Sequence, residues 1–310
     1  TGQIGFTATG ATAATGGQTI TLGYTQGGTD PVANTTWLIA DQLQTTGGNS
    51  LTSNVLLTGI EILGDLQIVG EAGEQKDLTA EITGNSGSIT FTGGTIAVGA
   101  ANRNNSYTAA TTVAENTEVI LQADDAFGQT SALTALGTVT IAQGVNQWIG
   151  DLSGNGELNL EDGSTLTLEK SGSAALGNAF AGSGTFVVDL GATNNALSFT
   201  NVDTANPFTG TFALSDLTFT LSQAQNAEIA SGAKFVLQSG SVFDADETGN
   251  FIAGLTFDGG ALAVGAVDLD SADQAKLTIN GDLVVTGQGG TVSASGINLV
   301  GAADILQADD

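Results

Sequence analysis

Four groups of carboxylates stand close enough in the sequence to do chemistry: Asp244-x-Asp246-Glu247, Asp268-x-Asp270-x-x-Asp273, Asp124-Asp125 and Glu161-Asp162. Paired carboxyls can serve as acid and base in glycosidic hydrolysis, and gathered carboxylate oxygens can hold calcium. Neither chemistry has its sequence pattern here. The EF-hand order D-x-[DN]-x-[DN]-G is not met, nor is the glycine-aspartate nonapeptide of calcium-binding β-rolls. With 32 Asp and Glu in 310 residues, pairs arise from composition alone. The expectation is therefore no catalytic residue, no metal and no cofactor. Contacts to a ligand are expected instead from Asp244, Asp246 and Glu247 and from a second polar constellation, Asn102-Arg103-Asn104-Asn105, with Tyr107 nearby. There Arg103, Asn104 and Asn105 could grip a sugar. The competing reading packs Tyr107 at a corner and leaves Arg103 to meet a carboxylate.

What is missing narrows the chemistry further. There is no Cys and no His, which removes thiolate and imidazole metal sites, Cys nucleophiles and every Ser-His-Asp arrangement. A formal charge of -27 repels phosphate backbones and anionic lipid surfaces, so nucleic acid is not an expected partner. Lys76, Lys170, Lys234 and Lys276 are scattered and form no basic run. No stretch of 18 apolar residues is present, and the chain begins at Thr1 without an initiator or a charged and apolar targeting segment. A processed or trimmed piece is expected. In keeping with this, ILQADD at residues 120–125 returns at 305–310, where its continuation is absent.

The elements that must position any site follow from a repeat. Between residues 211 and 300 an apolar doublet recurs as Phe212-x-Leu214, Phe235-x-Leu237, Leu255-x-Phe257, Leu277-x-Ile279 and Ile297-x-Leu299, in steps of 23, 20, 22 and 20 residues. Alternation of this kind is the period of a strand with one buried face. A coil of about 21 residues cannot bury its inward side chains alone, so neighbours must stack. The expected fold is an all-β parallel β-helix, a β-solenoid of roughly 20 to 23 residues per coil. At a strand spacing of about 4.8 Å, some 14 or 15 coils would make a rod of about 65 to 70 Å. Second doublets, Leu217-x-Phe219, Leu262-x-Val264 and Leu283-x-Val285, trail the first within a coil. Gly93-Gly94 and Gly259-Gly260 fall between doublets with no helix following, which reads as corners and not as phosphate loops.

Residues 1–310 read as one elongated unit, with residues 1–50 less regular and Trp37-Leu38-Ile39 suited to closing an end. Residues 201–207, NVDTANP, are the best candidate for a longer loop, since Pro207 cannot donate to a ladder. Trp148, in VNQWIGDL, and Tyr24 are expected in the core or partly in it.

Several lines of the sequence resemble the autotransporter-associated β-strand repeat. They are the NSYTAATTV opening at 105–113, the turn DAFGQTSAL, then GTVTIAQG, the SGNG corner and LNLEDGSTLTL. SGSAALGNAFAGSGTFVVDLG, NPFTGTFALSDLTFTLS and IAGLTFDGGALAV resemble passenger segments of bacterial autotransporter adhesins, so the likeness covers roughly residues 85–300. Ala109-Ala110 stand where many such repeats carry Gly-Gly. The resemblance implies a right-handed parallel β-helix, secreted to the cell surface through a C-terminal outer-membrane barrel that these residues do not include. It also implies a non-enzymatic adhesin that associates with copies of itself or attaches to a host matrix protein or glycan. A polysaccharide-degrading enzyme and a passive stalk are the rival expectations.

Overall fold

The computed structural model describes most of residues 59–99, residues 105–221, 224–245, 250–264, 277–294, 297–299 and 305–307, and four short strands within 19–51. The fold is a parallel β-helix with three faces. Each face is a parallel ladder whose rungs come from successive coils.

On the first face, Thr19–Thr21, Gly59–Ile62 and Glu81–Gly84 pair in parallel. The backbone of the next coils carries this ladder on, Ser106 N–H donating to Ile82, Gln129 N–H to Tyr107 and Gly150 N–H to Thr130. An unbroken ladder of eight strands follows, from Asn146–Ile149 to Ile305–Gln307, one per turn. The second face runs in six strands from Thr35–Leu38 to Leu152–Gly154, and in six more from Ala174–Leu176 to Thr291–Ala294. The third runs from Gln75–Leu78 to Ala179–Gly182 and resumes in Asn250–Ile252, Leu277–Ile279 and Ile297–Leu299. Outside these ladders, Leu43–Gln44 and Ser50–Leu51 form a small antiparallel pair.

Most registers fall in or beside the expected step. Thr95 pairs with Glu118, 23 residues on, and Thr138 with Glu157, 19 residues on. In the eight-strand ladder of the first face two steps are longer. Val188 pairs with Leu214 because the exposed loop at 201–207 leaves the rod there, as the turn-forming residues before Pro207 predict. Leu255 pairs with Leu283, and residues 265–276 within that step lie outside the described residues.

This second long step corrects the column read from the doublets. Phe212, Phe235 and Leu255 do stack on the first face. Leu277-x-Ile279 and Ile297-x-Leu299 sit on the third face instead, and Leu283-x-Val285 continues the first. All three faces use the same apolar-x-apolar code, so spacing alone cannot tell one face from another once a coil lengthens.

The inward set matches the alternation. Phe212, Leu214, Phe219, Phe235, Leu237, Leu255, Phe257, Leu277 and Ile279 are all buried. Eight phenylalanines between 180 and 243 form a continuous aromatic column, with Phe212 over Phe235 at 5.4 Å and Phe219 beside Phe235 at 5.5 Å, both stacked. Such ring pairs add about 0.5–1.5 kcal/mol beyond their burial. Corners tighten where glycine allows it. Gly154 has φ of 105°, and a Cβ there would land on the carbonyl oxygen of Ala135 in the coil below, so this corner admits no other residue without moving a rung.

One element departs from the all-strand expectation. Ala224–Ala230 forms a seven-residue helix, whose Ile229 and Ala230 are buried. Its Asn226 accepts a hydrogen bond from Phe199 N–H at 2.8 Å and donates to Thr220 C=O at 2.7 Å, which clamps the helix to the rod. No 3.6-residue pattern announces a segment this short.

Candidate functional site

Of the sequence-predicted contacts the structure describes Asn105 and Asp244, and it does not bring these two together. Arg103, Asn104, Asp246 and Glu247 lie outside the described residues, as do Asp268, Asp270 and Asp273. Asn105 is 4% exposed, and its side chain joins three coils by accepting from Ile82 N–H and donating to Ala126 C=O. As a ligand contact Asn105 is corrected: its amide is spent on buried backbone groups, which would otherwise go unpaired at a cost of about 1–3 kcal/mol each. Asp244 is half-buried in Val242–Asp244 on the second face, six turns along from Ala110–Val113. At about 4.8 Å per turn that is roughly 29 Å from the Asn105 coil.

Tyr107 takes the structural role. Fully buried, it shares a hydrogen bond between its hydroxyl and Thr111 Oγ1 at 3.0 Å. Burial drives its phenol well above the ordinary tyrosine range, and the Thr111 bond offsets this only in part.

The acidic pairs serve corners. Asp124 Oδ1 accepts from Asn146 N–H at 2.7 Å in the next coil, and Glu161 Oε2 accepts from Gln143 N–H at 2.9 Å. Lys170 meets Asp151 at 2.7 Å. Among the described residues no three acidic side chains converge to hold a metal. Asp125 stands in the left-handed region with φ of 51°. Its carboxyl is raised above its usual range by burial first and by the Asp124 charge second, against a lowering bond from the Trp148 backbone. The folded chain thus holds this proton more tightly than the unfolded one. Stability should fall as pH climbs from the ordinary aspartate value of about 3.9 through the raised one. Asn tolerates the same backbone region. Asp125→Asn is expected to stabilise the chain at pH 7 by less than about 1 kcal/mol given solvent screening, raising its melting temperature, with the gain vanishing below about pH 4. A gain that stays constant across a pH series of thermal melts would rule out titration as its source.

What the coils do bring together is a set of outward columns in register. On the second face Thr90, Thr112, Thr134 and Ser153 follow one another, with the last two hydroxyls 3.0 Å apart. On the first face Asn146, Thr165, Thr185, Thr211 and Lys234 form one column. Two residues along each strand, Trp148, Thr167, Val187, Ala213 and Val236 form a second column that runs on to Val284. Trp148 therefore faces outward, half-buried, and corrects the core expectation. Val145, Gln147 and Ile149 take the inward positions around it. At the corner between the second and third faces lies an open groove of about 530 Å³. Along it Thr95, Glu118, Thr138 and Glu157 alternate from coil to coil, Thr95 donating to Glu118 Oε2 at 3.0 Å.

These columns were not singled out in the sequence, though a signal was there. Four successive first-face strands read polar residue, apolar, x, apolar: TLTL, TFVV, TFAL and KFVL. The residue before each doublet is the one that stacks outward.

No family model matches the chain, and no solved structure matches it. Over 113 residues, 36% of its length, it is 34% identical to the uncharacterized protein YuaQ of Escherichia coli (strain K12). The chain spans about 8% of the length of that relative.

Proposed function

We propose that the chain is part of the passenger of a bacterial autotransporter adhesin: a rigid acidic rod, displayed outside the outer membrane, that holds surfaces together without catalysis. The observation that carries this reading is the repetition of outward hydroxyls in register on two faces. A single hydrogen bond nets only about 0.5–1.5 kcal/mol, but a straight ladder repeats it coil after coil, which suits attachment by many weak contacts. Copies of the chain, a matrix protein or a glycan are the partners in this reading. Beads coated with the chain should clump together or settle on matrix- or glycan-coated surfaces more than beads carrying an unrelated acidic protein. Equal behaviour of the two bead types would contradict adhesion and leave a stalk.

The corner groove supports a second reading, a polysaccharide-degrading enzyme. Glu118 and Glu157 lie two rungs apart along it, roughly 9.6 Å between backbones, near the upper end of the carboxyl separation in inverting glycosidases. Incubation with polygalacturonate and chitin separates the two. Release of reducing ends that disappears in Glu118→Gln would favour the enzyme.

A further inference from the structure

The two outward columns of the first face make a flat strip unlike the rest of the rod. From Trp148 to Thr256 they carry hydroxyls, small apolar groups and one cation, Lys234, but no carboxylate; at the next coil Asp282 follows Gly254 in the first column. Carboxylates return at once along its edge, where Glu169, Asp189 and Asp258 lie two residues further along their strands. Trp148, half-buried, stands at one end.

Resting on the adhesive reading above, we propose that this strip is a binding platform for a neutral, linear polysaccharide. Size decides between a glycan and a second copy. Six strands at about 4.8 Å give a length of roughly 24 Å, and the columns stand about 7 Å apart. The area is on the order of 170 Å², about a fifth of the roughly 800 Å² per partner that a standard protein interface buries. A long narrow strip accommodates one sugar chain lying along the rod. Charge decides the kind of sugar. The acidic edge repels polyanions, whereas a neutral chain is free to set its hydroxyls against Thr165, Thr185 and Thr211 and its apolar ring faces against Val187, Val236 and the indole of Trp148.

The test is affinity electrophoresis of the whole chain through gels containing a neutral glucan, mannan or galactan, with polygalacturonate and heparin as polyanion controls. At least one neutral polymer should retard the chain at low and moderate salt alike. Trp148→Ala should weaken that retardation by up to about tenfold, and Val187→Glu should abolish it. Ala175→Glu, exposed on the second face, should leave it unchanged. Circular dichroism melts confirm that each variant folds. Three results overturn the proposal: no neutral polymer retards the chain, retardation survives Val187→Glu, or Val187→Glu removes self-association in sedimentation velocity while sugars never bind. Bead attachment measured on the same variants keeps the two readings apart. Attachment that persists without any neutral polymer binding refutes the strip and spares the adhesin.

Discussion

Phe212→Asp should collapse the middle of the rod, with a loss of at least about 3–5 kcal/mol, the range for emptying a phenylalanine site, before the charge is counted. Phe212 is fully buried and meets the rings of Phe180, Phe186, Phe199, Phe208 and Phe235 at centroid distances of 4.8 to 6.2 Å. It therefore ties three successive coils of the first face to one another through their rings. A carboxylate there has no partner, and burying an unpaired charge is far costlier than leaving a cavity. Because each coil of a solenoid is stabilised only by its neighbours, the damage should split the molecule and not spread evenly. Thermal melts should show an early transition, and limited proteolysis should cut within 185–235 before it cuts within 105–160. Phe251→Asp is the matched control: that ring is 47% exposed and its loss should shift the melt little. If Phe212→Asp melts like the parent, the register of the first face is wrong.

Gln147→Leu is the second large expected effect, of about 2–5 kcal/mol, although the exchange is apolar and close in size. Gln147 is 2% exposed and its amide closes the corner between two coils. It accepts from Phe127 N–H at 2.8 Å and donates to the carbonyls of Gly128 at 2.9 Å and of Trp148 at 2.7 Å. Leucine satisfies none of them, and each buried backbone group left unpaired costs about 1–3 kcal/mol. Gln147→Glu should fare no better at neutral pH, because its buried carboxylate accepts from Phe127 but meets the Gly128 and Trp148 carbonyl oxygens with no proton to give. Denaturant midpoints at pH 7 should place both variants well below the parent. A leucine variant as stable as the parent would mean that water replaces the amide.

Much of the architecture was legible because solenoid strands obey a strict period of two, and Phe212, Phe235 and Leu255 announce it openly. The same economy hid the rest. Leu277 reads as the next rung above Leu255, yet it belongs to another face, since nothing local marks which side of the coil a doublet will occupy. Trp148 reads as core by hydrophobicity, but the strand Asn146–Ile149 is set by Val145 and Ile149, so the polar Gln147 goes inward and the indole outward. Asn105 reads as a surface contact because buried asparagines that serve the backbone have no signature of their own. The outward columns were harder still. Thr165, Thr185 and Thr211 are 20 and 26 residues apart, and only pairing register reveals them as neighbours.

Adhesion through neutral, short-range contacts on a rod of charge -27 has one direct measurement: bead attachment and clumping at about 10 mM and about 150 mM salt, between which the screening length shrinks from about 30 Å to about 8 Å. Attachment should hold or strengthen as salt rises, because screening relieves repulsion and leaves hydroxyl and apolar contacts untouched. Attachment that falls steadily over that range would show opposite charges holding the partner, and would contradict the outward ladders as the adhesive surface.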